Sequence, residues 1–144
     1  MKQFLFILLL STVNNTLHAQ IFNDLHERDT VVLIFEKDVK FNNMVLESSK
    51  KHRDEYHYKF NKYEWISFQT YNKQFQEMKK IKKNELAKKK LIYMQDIYNY
   101  GYQQTLNSFF RNKFVFYILD RKKIKCRKII LKRIYLMNLE KMVI

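Results

Sequence analysis

The chain has no proline, a single glycine (Gly101) and a single cysteine (Cys126) in 144 residues, and each scarcity excludes something. One cysteine cannot form an intrachain disulfide, so packing alone must hold the fold. One glycine leaves no phosphate-cradling loop and no G-x-S-x-G elbow, and C-x-x-C is equally missing. No Pro-rich or Gly/Ser-rich stretch marks a linker, and nothing repeats at a period of about 20 to 50 residues. Turns fall to Asn, Asp and Lys. Beyond the first twenty residues no apolar run approaches the roughly 20 residues that a membrane-spanning helix needs.

The N-terminal twenty residues, MKQFLFILLLSTVNNTLHAQ, follow a different pattern. Lys2 gives a short positive start, Phe4 to Leu10 are continuously apolar, and a polar stretch from Ser11 to His18 leads to the small residue Ala19. This is the layout of a secretory signal peptide over residues 1–19, although Leu17 is larger than the residue usual at that place. No cysteine follows to accept a lipid. The expectation is a secreted or periplasmic mature chain, residues 20–144, forming a single domain.

Hydrophobic residues at 47% and aromatics at 16% supply enough apolar surface to fold a chain of this size despite its charge. That charge is lopsided. Residues 20–75 hold nine Lys/Arg and nine Asp/Glu, whereas residues 76–144 hold eighteen against five. The excess, concentrated in Lys122, Lys123, Lys125, Arg127, Lys128, Lys132 and Arg133 and in the lysines before residue 91, points to an anionic partner. An envelope surface, an acidic polysaccharide, a nucleic acid or an acidic protein would each be attracted, and salt should weaken all of them. A lysine-rich face also serves simply to keep a protein in solution.

Periodicity gives the fold class. Thr30 to Phe35, TVVLIF, reads as a strand buried on both faces, and Val39 to Leu46 as a second, less regular one. In EYHYKFNKYEWISFQTY, Tyr56, Tyr58 and Phe60 alternate with polar residues, and a second aromatic run follows Asn61-Lys62. A β-hairpin over residues 55–71 is expected, with Asn61 taking the positive φ of a two-residue turn. Phe75, Met78, Ile81 and Leu86 have helical spacing, and a further stretch capped by Asn84 should stop at Gly101, so residues 74–100 are expected to form one or two helices. A second hairpin is expected over residues 114–136, with Ile124, Cys126, Ile130, Ile134 and Leu136 on one face, although 123–137 has a competing helical period. The predicted class is α+β, an antiparallel sheet packed with one or two helices.

Candidate chemistry is sparse. His26 and His57 could act as acid and base of a secreted nuclease or glycoside hydrolase, but the two sit in no recognisable motif. His52 and His57, five apart, share neither a helix face nor a strand face, so no metal site is expected, and no cofactor either. Tyr58, Tyr63 and Trp65 could present rings to bases or sugars; the commoner role of strand aromatics is the sheet's own core. Cys126, flanked by Lys125 and Arg127, would have an activated thiol if exposed, and a small buried apolar role is the expectation. The leading reading is a non-catalytic binding protein; a hydrolase and a structural envelope component are the alternatives.

Overall fold

A computed structural model of the chain describes residues 22–36, 44–48, 53–71 and 76–137. The expected signal peptide and residues 39–43 of the expected second strand lie outside this set. Among the described residues the elements follow in the order β1 (Thr30–Phe35), β2 (Met44–Ser48), β3 (Asp54–Lys59), β4 (Trp65–Gln69), β5 (Met78–Lys82), α1 (Lys83–Leu86), β6 (Lys90–Ile92), α2 (Met94–Tyr100), α3 (Tyr102–Asn112), β7 (Val115–Asp120) and β8 (Lys128–Leu136), with a 3-10 turn at Arg121–Lys125 before β8. The result is a small α+β domain.

The sheet is mixed rather than antiparallel, which corrects the expectation. Its order is β2-β3-β4-β8-β7-β1-β6, with β5 also paired to β8. β1 runs parallel to both β6 and β7. The cause is the pair of helices α2 and α3: a chain leaving β6 and crossing through helices returns to the end it started from, so β7 must run the same way as β6. β1 fills the place between them and is buried on both faces, as its short apolar, β-branched-rich run predicts. Val31, Leu33 and Phe35 enter one core, with Phe68, Phe109 and Phe116, and Val32 and Ile34 enter a second, with Ile81, Leu86, Ile129 and Leu131.

Both expected hairpins form. β3 and β4 pair antiparallel from Glu55↔Gln69 to Lys59↔Trp65. Their connection, Phe60–Glu64, is not the predicted two-residue turn. The Asn61 side chain makes it instead, its Oδ1 accepting the backbone N–H groups of Tyr63 at 2.8 Å and Glu64 at 2.9 Å. Among the described non-glycine residues only Arg28 and Lys113 have positive φ, so Asn61 works through its amide and not through left-handed backbone. β7 and β8 form the second hairpin, and β8 is a strand, not a helix. Its buried face is not the predicted one throughout. Ile129 and Leu131 are buried at its beginning while Ile130 is 44% exposed, and Ile134 is buried further on. Alternation puts these two sets on opposite faces, so β8 passes from one core to the other.

The largest correction falls between residues 78 and 92, where helix was expected and the chain forms β5, the single turn α1 and β6. Met78 and Ile81 do have helical spacing, but only Ile81 of β5 is buried. A lysine-crowded helix would bury almost nothing there, whereas pairing with β8 satisfies a run of backbone donors and acceptors. Asn84 therefore lies inside α1, and the backbone N–H of Lys82 is held by the Glu85 carboxylate at 3.1 Å. Gly101 does end α2, with φ +95°, and α3 starts at once on its other side. Thr105 and Phe109 give α3 its buried face.

Candidate anion-binding surface

β8 is bordered twice. Lys132 is the register partner of Ile118 in β7 and of Met78 in β5, so β5 and β7 lie on opposite sides of it, and β4 follows β5 along the same edge at Tyr135 and Leu136. In the β5–β8 ribbon, residues directly opposite share a face. Ile81 and Ile129 point together into the second core, while Lys82 and Lys128, then Lys80 and Ile130, then Met78 and Lys132 make up the other face. On that face Lys80, Lys82, Lys128, Ile130 and Met78 are exposed.

The register also decides what surrounds the ribbon. Because Lys82 ends β5 and Lys128 begins β8, α1 and the 3-10 turn leave from the same end. Two stretches of sequence, 78–85 with four Lys/Arg and 121–133 with eight, are thus brought together, and the one carboxylate within them is Glu85; Arg121 is paired with Glu36, and Lys90 lies away in β6 with its ammonium on the Asp24 carbonyl. The Glu85 carboxylate is occupied with the Lys82 N–H. Asp120, just outside, caps the 3-10 turn by accepting the Lys122 N–H at 2.9 Å.

Of the residues expected to bind an anion, Lys122, Lys123, Lys125, Arg127 and Lys128 are exposed, and none forms an ion pair among the described residues. Lys132 and Arg133 are already engaged. The Lys132 ammonium meets the Asp54 carboxylate at 2.8 Å and the Tyr56 hydroxyl at 3.4 Å. Its partial burial pulls its pKa down, but the Asp54 hydrogen bond, together with the Tyr56 and Asp54 charges, outweighs this and the net direction is up. Burial raises the Tyr56 hydroxyl, against the lowering influence of Lys132. Arg133 donates to the Phe116 carbonyl at 3.1 Å and lies over the rings of Tyr135 and Tyr117, 4.9 and 5.5 Å from their centroids. Lys80 and Lys82 complete the surface. Both fall within the stretch expected to be helical, and only the register with β8 shows what they face.

Cys126 is exposed, which corrects the expectation of a buried apolar residue. It sits between the 3-10 turn and β8, where every neighbour within three residues except Ile124 and Ile129 is basic.

The aromatic surface divides. Tyr58 is 0% exposed and so cannot contribute: it shares the inward face of β3 with Tyr56 and packs edge-on against Phe68 at 5.9 Å. Tyr63 and Trp65 are exposed, each beside a lysine, Lys62 and Lys59 respectively. They are far from the basic ribbon. Gln69 pairs with Tyr135, Trp65 lies four positions beyond that point in one direction and Lys128 seven in the other, roughly 35 Å of extended chain in all.

The histidines take separate places. His26 is exposed in the turn before β1. His57 is buried on β3 opposite Ser67, its Nδ1 2.8 Å from the Ser67 hydroxyl and its Nε2 3.9 Å from the Glu55 carboxylate. Serine, imidazole and carboxylate are thus in line, a grouping the sequence did not suggest because it depends on cross-strand register. His57 and Ser67 are 6% and 5% exposed, which leaves a substrate little access. Among the described residues no three His, Cys, Asp or Glu side chains converge as a metal site would require, and no helix is long and apolar enough to cross a membrane. No protein family, curated protein or solved structure matches the chain.

Proposed function

We propose that the chain is an exported, non-catalytic binding protein that engages an anionic partner through the β5–β8 ribbon and the basic turns at its end. The observation that carries the reading is the Lys82–Lys128 pair. Like charges directly opposite in a sheet are destabilising, and here neither ammonium forms an ion pair among the described residues, the nearby Glu85 carboxylate being taken up by the Lys82 backbone N–H. A partner bearing phosphate, sulfate or carboxylate groups would relieve it on binding. Part of the lysine content of β5 has a second use, since charge on an edge strand blocks pairing with other chains. That use does not account for Lys128, Lys122, Lys123 or Arg127, which lie outside β5.

Retention on immobilised heparin tests the reading. The wild type should elute well after a neutral control and earlier as salt rises, because each neutralised contact releases counterions. The double variant Lys80→Glu, Lys128→Glu should elute much earlier than the wild type, and earlier than a double reversal at Lys59 and Lys62, which carries the same change in net charge on the aromatic hairpin. Equal elution of the two variants would reject the ribbon as the site.

A hydrolase remains a second reading because His57, Ser67 and Glu55 are aligned. In it His57 would serve as the base that takes the Ser67 proton. Turnover of RNA, DNA, polysaccharide or ester substrates that vanishes in both His57→Ala and Ser67→Ala would favour it over the binding role.

A further inference from the structure

The exposed face of the β5–β8 ribbon is not purely cationic. Met78 is 58% exposed and Ile130 44%, and the register places Ile130 opposite Lys80 and Met78 one pair further along. Apolar and cationic side chains therefore alternate across a two-stranded surface. Phosphodiester and polysaccharide chains would satisfy the lysines but leave Met78 and Ile130 in water. Of the exposed hairpin rings, Tyr63 and Trp65 lie at the remote end of the β3–β4 hairpin, and Tyr71 sits against Tyr135, which is on the opposite face of β8 from Ile130. A bilayer containing anionic lipids satisfies both parts of the pattern, with phosphate headgroups for the ammonium groups and an interfacial region for the two apolar side chains.

From this arrangement we infer that the anionic partner is the surface of an acidic phospholipid membrane, on which the ribbon lies flat with Met78 and Ile130 directed into the interface. The inference rests on the proposed binding role and narrows it to one partner class. Lys80, Lys82 and Lys128 face the headgroups, while Lys122, Lys123 and Arg127 add charge beside them. The contact is peripheral and reversible.

The test is co-sedimentation of the mature chain with vesicles of equal parts phosphatidylglycerol and phosphatidylcholine, with phosphatidylcholine vesicles, heparin and duplex DNA alongside. Binding to the acidic vesicles and not to the neutral ones is expected. At about 1 kcal/mol per lysine near a charged surface, Lys80→Gln with Lys128→Gln should weaken the partition about thirtyfold. Met78→Ser with Ile130→Ser should weaken it roughly tenfold while leaving heparin elution unchanged, and Ile130→Val should bind as the wild type does. All these side chains are exposed, and a thermal melt of each variant verifies its fold. Retention on heparin or DNA without vesicle binding would overturn the lipid inference and leave the basic-surface reading standing. Vesicle binding indifferent to Met78 and Ile130 would likewise overturn it. Failure to bind any polyanion would overturn both.

Discussion

Replacing Lys128 by glutamate should make the protein more stable and less able to bind. Lys128 and Lys82 are direct register partners at the open end of the β5–β8 ribbon, both exposed and neither ammonium in an ion pair among the described residues. An opposite-charge pair across strands contributes about 0.2–1 kcal/mol and a like-charge pair costs a similar amount, so reversing one sign should gain about 0.5–2 kcal/mol. For a domain of this size that is a rise of about 3–6 °C in Tm per kcal/mol. Thermal melts at low and high salt are the assay. The gain should shrink at high salt, where the screening length falls to about 3 Å. Lys62→Glu makes the same change in net charge in the β3–β4 turn and should move Tm far less, which separates the local pair from general relief of self-repulsion. A Lys128→Glu protein no more stable than wild type at low salt would refute the reasoning. So would a gain unaffected by salt.

Two further perturbations probe the polar groups inside the sheet. The Tyr58 hydroxyl is buried with no hydrogen-bond partner among the described residues, so Tyr58→Phe should raise stability by about 1–2 kcal/mol, read from the urea midpoint, because an unsatisfied buried hydroxyl costs that much. Asp54→Asn should lower stability by about 1.5–3 kcal/mol at neutral pH by taking away the carboxylate from the Lys132 ammonium.

The pH dependence has a definite sign. Lys132, Tyr56 and Tyr117 all have pKa values raised on folding, from ordinary values of 10.5 for the lysine and 10.0 for the tyrosines. The stabilisation these groups supply is present in full below pH 10 and is lost as pH climbs through their folded-state values. Denaturation midpoints should be flat from pH 8 to about 9.5 and then fall. In Asp54→Asn, burial acts on Lys132 with Tyr56 alone left to oppose it, and its pKa should fall relative to the wild type, so the deficit relative to wild type should narrow above pH 10.5. A deficit that widens there would mean that the Lys132–Asp54 pair is not what Asp54 contributes.

What the sequence determined by itself was whatever a short stretch of chain settles with its own neighbours. TVVLIF is apolar after its first residue, so it had to be a strand covered on two sides, and the alternating aromatics around Asn61 had to double back. Gly101 had to end a helix because it tolerates positive φ, and the cationic excess of the second half could be counted directly. Pairing was a different matter, since it compares distant segments. MKKIK has an adequate helical spacing taken alone, and it becomes β5 only because β8 offers an unfilled edge. That one pairing turns two lysine-rich segments into a single surface and places Met78 and Ile130 among the charges. Register likewise set Ser67 against His57 and brought Lys132 to Asp54, 78 residues away in sequence. The physical reason is that side-chain periodicity is a property of neighbouring residues, whereas the backbone hydrogen bonds and charge contacts between strands depend on which edges remain open once the two cores have closed.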